Sequence, residues 1–303
     1  MRIMALTGLF LTALGLSLSQ DIGAADVKWT LIVPELGGAT YVKDRTKCLE
    51  CHEEYMIPFD NTIHGRMSKQ NREALDCENC HGPMSKHLEA PNKRPAILLS
   101  LKTASAGDKN KVCEQCHEGG MHLWWRGSMH QRTGLSCMDC HYLLERKSDR
   151  ALLIYENPTD VCTRCHMDRK AQMYKYSHMP VREGKMNCIS CHNPHGSGAP
   201  KMLKAGGVND TCYGCHAEKR GPFIWEHAPV RENCTNCHDP HGSNNPKMLT
   251  AKGPFLCTNC HQYGGHVNVP RYNRASALIG QGCVNCHSRI HGSNHPSGAK
   301  LTR

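Results

Sequence analysis

The chain has 303 residues and a formal charge of +10, with only four Phe and four Trp against 20 Cys and 21 His. That scarcity of large apolar side chains excludes a big conventional core. Taken alone, the positive charge would suit nucleic acid or an acidic membrane surface.

In chain order, residues 1–25 read as a signal peptide: Met1 and Arg2, an apolar stretch from Ala5 to Leu18, then small residues before Asp26. Cleavage is placed after Ala25 or after Ser19. The apolar run is shorter than the roughly 20 residues that span a bilayer. No later segment is apolar enough to cross, so residues 26–303 are expected to form a single elongated domain in the periplasm.

Ten Cys-x-x-Cys-His pentapeptides then follow and use every cysteine. They are Cys48, Cys51 and His52; Cys77, Cys80 and His81; Cys113, Cys116 and His117; Cys137, Cys140 and His141; Cys162, Cys165 and His166; Cys188, Cys191 and His192; Cys212, Cys215 and His216; Cys234, Cys237 and His238; Cys257, Cys260 and His261; and Cys283, Cys286 and His287. Two thiols on one short turn can add to both vinyl groups of a haem, and the adjoining histidine then reaches the iron. A Cys₄ zinc site does not require a histidine after each pair, and a disulfide framework does not confine every cysteine to one pentapeptide. The expected cofactors are ten covalent haem c groups with their iron.

Fewer than 30 residues per haem follow the leader, in a chain with 27 Gly and 16 Pro. The fold class is a multihaem cytochrome c: an elongated haem wire, mostly irregular, with short α-helices and little or no β-sheet. Polar residues such as Pro158-Thr159-Asp160 and Asn209-Asp210 precede motifs and are suited to opening a helical turn. Ten oxidised haems, each with two propionates against one ferric charge, add about ten negative charges and bring the holoprotein near neutrality. Nucleic acid is thereby not an expected partner.

The motifs pair into five units beginning at Cys48, Cys113, Cys162, Cys212 and Cys257. An odd motif is followed by a lone histidine, an even motif and usually another histidine. These further histidines are His64 and His87; His130; His178 and His195; His227 and His241; and His266 and His291. As nine candidate second axial ligands they leave one place unfilled, because Tyr142, Leu143 and Leu144 follow His141 where other units carry histidine. The tenth ligand is then His122 or His295, with His295 favoured. Two imidazoles fill both axial positions of an iron, which favours electron transfer over catalysis.

In motif order, and in the stretches VNDTCYGCHAEKRGPFIWEHAPVRENCTNCHDPHGSN (208–244) and CVNCHSRIHGSNHPSG (283–298), the chain resembles the periplasmic decahaem cytochromes of outer-membrane porin-cytochrome conduits, the MtrA, PioA and MtoA group. The resemblance implies that His195, His227, His241 and His291 are second axial ligands. It also implies a wire inside an outer-membrane β-barrel porin. Such a wire links periplasmic c-type cytochromes with an extracellular cytochrome or with iron, ferrous-iron oxidation being slightly favoured over metal reduction. The departure at Tyr142 to Leu144 leaves one haem's ligand unassigned.

Overall fold

A computed structural model describes residues 27–70, 75–89, 99–261 and 282–302. Residues 1–25, expected as a signal peptide, and His266 lie outside these residues. Twelve α-helices and eleven 3₁₀ turns, with no strand, make up the described residues. The short-helix, sheet-free architecture expected from the composition is what the chain forms. Proline opens several helices at their first or second position, as in Pro158–Thr163 and Ala228–Glu232, where its missing N–H costs nothing. The longest helix, Arg45–Asp60, is interrupted at His52, whose φ of −122° and ψ of 31° break the helical run at the end of the first motif.

Odd and even motifs are built differently. Cys113, Cys162, Cys212 and Cys257 sit late in short α-helices, whereas Cys137, Cys188, Cys234 and Cys283 open 3₁₀ turns. In these eight motifs the histidine N–H donates to the carbonyl of the first cysteine at 2.9–3.0 Å, so both thiols and the ring are carried on one turn.

An asparagine three residues before the odd motif ties the two kinds together. Asn110 donates to Leu135 O and accepts from Cys137 N–H at 2.9 Å; Asn209 donates to Val230 O and accepts from Cys234 N–H at 2.8 Å. Asn209 therefore fastens an even motif instead of capping a helix. The cap position of Val208–Tyr213 is Gly207.

After the second, third and fourth even motifs the chain doubles back through two consecutive non-glycine residues with left-handed backbone: Ala151 and Leu152, Lys201 and Met202, Lys247 and Met248. The first carbonyl of each pair faces the Nδ1 of the motif histidine at 2.7–2.9 Å: Ala151 with His141, Lys201 with His192, Lys247 with His238. The second carbonyl accepts the N–H of the residue after that histidine at 2.8 Å. Each left-handed residue costs about 1–2 kcal/mol, a strain the hydrogen-bonded hook holds in place.

The largest apolar cluster lies near the start of the described chain, where Trp29, Leu36, Leu99 and Val112 are buried together with Cys80 against them. Elsewhere the units touch through backbone bridges, Tyr176 with Ser243 and Trp225 with Ser293. Replacing Lys201 by glycine should leave stability unchanged or raise it by up to about 1 kcal/mol, because glycine adopts φ of 58° freely. Lys201→Val should lower it by on the order of 1–2 kcal/mol, since a β-branched residue resists that region. Thermal melting of the two variants checks the order.

Candidate haem sites

None of the 20 cysteines is in a disulfide, which leaves both thiols of each motif available for thioether formation. Within every unit the first thiols of the two motifs lie beside each other: Cys48 with Cys77, Cys113 with Cys137, Cys162 with Cys188, Cys212 with Cys234, and Cys257 with Cys283. That proximity pulls Cys188 down to about 7 and pushes Cys162 up. Between units the second thiol of the even motif neighbours both thiols of the next odd motif: Cys80 with Cys113 and Cys116, Cys140 with Cys162 and Cys165, Cys191 with Cys212 and Cys215, and Cys237 with Cys257 and Cys260. The cysteines of each motif thus lie near those of the next through all ten motifs in chain order.

The histidines show a second regularity. A metal–nitrogen bond of about 2 Å on either side of one ion sets two imidazole centroids roughly 6 Å apart. Seven motif histidines face another histidine at that separation. The pairs are His52 and His87 at 6.4 Å, His117 and His64 at 6.0 Å, His166 and His130 at 6.2 Å, and His141 and His195 at 6.1 Å. His192 and His241 stand at 6.1 Å, His261 and His227 at 6.1 Å, and His238 and His291 at 6.2 Å. The spacing is too wide for ring stacking and fits one iron between the rings. Burial holds His64, His117, His141, His241 and His291 below the usual imidazole range and pushes His195 down to about 4, so these rings are in the neutral form that ligation requires.

Backbone carbonyls set which nitrogen faces the gap. An Nδ1 bound to a carbonyl turns the other ring nitrogen toward the iron position. Besides the three hooks above, His81 meets Leu99 O at 2.9 Å and His287 meets Lys300 O at 2.6 Å. The lone histidines use the neighbouring unit: His130 meets Pro194 O at 2.8 Å, His178 meets Pro240 O at 2.9 Å, and His227 meets Ile290 O at 3.1 Å. Each of these carbonyls immediately precedes the next unit's own post-motif histidine. One dipeptide thereby presents a ring to one gap and orients a ring at another.

Glycine follows those histidines because the chain passes too close for a side chain. A Cβ on Gly196 would lie 2.3 Å from Trp124 O, and one on Gly242 would lie 2.2 Å from Gln172 O, both at positive φ.

The remaining candidates are placed differently. His178 holds the same carbonyl contact as His130 and His227 in its unit. His122 stands 5.4 Å from His117 and 4.4 Å from His195, inside the second unit's ring cluster. At His295 the Nδ1 accepts Ser297 N–H at 3.1 Å, an arrangement opposite to that of the hooked rings. Sequence reasoning identified the ring-bearing slots but missed the asparagine ties and the carbonyl hooks. The ties leave one signal, an Asn three residues before Cys113 and before Cys212.

Comparison with known proteins agrees with this geometry. The family model described as a doubled CXXCH motif matches residues 178–221 and 227–265. Over 274 residues the chain is 41% identical to the multiheme cytochrome MtrA of Shewanella baltica (strain OS185), covering 86% of this chain and 82% of that protein. The chain belongs to the MtrA family of multihaem cytochromes. As an MtrA-type cytochrome it binds haem c covalently through its paired motifs and transfers electrons. Changing both Cys188 and Cys191 to alanine should remove one haem per chain from the total, read as the loss of one haem mass from the intact protein.

Proposed function

We propose that the chain carries ten haem c groups in motif order and passes electrons along them across the outer membrane, enclosed by a β-barrel porin and supplied on the periplasmic side by c-type cytochromes. The observation that carries this reading is that the cysteines of each motif neighbour those of the next through all ten motifs, which orders the attachment points into one series. Haem, when bound, supplies a one-electron ferric/ferrous couple.

In this reading the motif histidines and their facing partners would hold the iron at the seven paired motifs, and His178 would serve His216 by its place in the repeat. Held between two rings, the group would supply electron transfer and leave no room for a substrate, so these residues hold and order the couples. Nδ1 contacts to backbone carbonyls make the rings more basic and favour the ferric form. A cleft of about 610 Å³ that includes Lys175, Arg182 and Lys247 in its lining provides cationic partners for propionates at the junction of the third and fourth units.

A hydrocarbon layer of about 30 Å is too thick for one electron step. Among the described residues no helix is long and apolar enough to cross it. A chain with this charged exterior needs a polar lumen around it, which a large barrel provides. The same series serves outward or inward flow, the driving force being set by the partners at each end, extracellular iron or a surface cytochrome among them.

Vesicles enclosing a reduced dye check the proposal. Reduction of an external ferric acceptor should require the barrel and this chain together. Equal rates with the chain left out, or no association between chain and barrel, would refute it.

Potentials should also step along the series. The His241 ring has Asp239 Oδ1 3.7 Å from its Nδ1, whereas the equivalent residue beside His195 is the neutral Asn193 and the His195 Nδ1 is buried without a protein partner among the described residues. Asp239→Asn should raise one haem potential by roughly 30–60 mV and Asn193→Asp should lower another by a similar amount, from a charge effect on the order of 1 kcal/mol. Spectroelectrochemical titration of the two variants reads both shifts.

A further inference from the structure

The two residues between the cysteines of a motif lie next to the group that the thiols hold, and their charge is unevenly spread along the chain. Each of the first four motifs has one acid there, Glu50, Glu78, Glu114 and Asp139; the fifth has Arg164, and the last five are neutral. The rest of the chain follows the same slope. Residues 27–147, which hold the first two units, carry 17 basic and 15 acidic side chains, whereas residues 148–303 carry 19 and 10.

Two of the acids are built into the fold. Glu78 is 4% exposed, and both its oxygens accept backbone N–H groups, from Val42, Lys43 and Met84 at 2.8–3.0 Å. A carboxylate is thus held inside the second motif with little water to screen it. The same place in the other even motifs is taken by Met138, Ile189, Thr235 and Val284. Asp139 accepts the N–H of Ser136, three residues before it, at 2.7 Å. Asn79 and Ser190 make that same bond in the second and sixth motifs, to Asp76 N–H at 2.6 Å and Asn187 N–H at 3.1 Å. A neutral side chain therefore suffices for the turn, and the charge of Asp139 is additional to it. The sign changes where the second unit meets the third, where Arg164 Nη1 donates to Asp139 O at 3.3 Å.

We infer that Glu78 and Asp139 are potential-setting residues, and that the haems of the first two units are held at lower potentials than those of the last three. Each haem brings the same two propionates, so the chain's own charges make the difference. A nearby negative charge favours the ferric form and a positive one the ferrous form. The grade fixes where electrons rest, on the later units, and leaves the direction of flow to the partners.

The inference rests on the proposed attachment of ten haems in motif order, which the intact mass of the holoprotein checks separately. In spectroelectrochemical titration, Asp139→Asn should raise the potential of one haem in the lower part of the range. Ser190→Asp, which places a carboxylate on the same bond in the third unit, should lower one in the upper part. Glu78→Gln should raise another low-potential haem. A purely structural role for these acids would alter thermal melting and leave the potentials in place. Potentials unmoved by Asp139→Asn and Ser190→Asp, or shifts found at the opposite ends of the range, would overturn the inference while the ten attached haems stand. Fewer than ten haems by mass in the unaltered protein would overturn the attachment reading and the inference with it.

Discussion

Two neutral imidazoles have little reason to stay 6 Å apart in water, yet this chain holds seven such pairs at 6.0–6.4 Å. In five of them one ring is held at its far side, where Nδ1 meets a backbone carbonyl. That contact fixes the tautomer and the tilt together. The left-handed residues, the glycines after the post-motif histidines and the isolated bridges all bring a carbonyl to the right place.

This explains how a chain with so few large apolar residues holds a defined shape. Apolar burial is concentrated near the start, at Trp29, Leu36, Leu99 and Val112. Farther along, order comes from short polar ties repeated once per unit. The repeat is not uniform. Where the second and fourth units use Asn110 and Asn209, the third has the buried Thr159, whose hydroxyl lies against the Cys188 thiol and ties no backbone N–H of its even motif.

Much of this was legible in the sequence because haem attachment is written in contiguous residues. The motif cysteines and histidines, the five units and the short-helix, sheet-free class all follow from spacing. The facing of rings does not, since His130 and His166 or His195 and His141 are separated by whole motifs and the choice of neighbour is made by the turn between them. Hooks such as Lys201 O to His192 involve backbone atoms that any side chain could carry. Asn209 looked like a helix start because asparagine favours that role; its position one turn before Cys212 puts its amide within reach of Cys234 instead.

The exchange of rings between units imposes an order on biogenesis. In the proposed arrangement three even motifs take their second imidazole from later in the chain: His141 awaits His195, His192 awaits His241, and His238 awaits His291. A haem attached as the chain emerges would therefore pass through a stage with one protein ligand, until the following unit arrives and closes the site. Truncation after the second, third or fourth unit would leave that unit's even motif in the unfinished state, a dependence of each of these units on the one that follows.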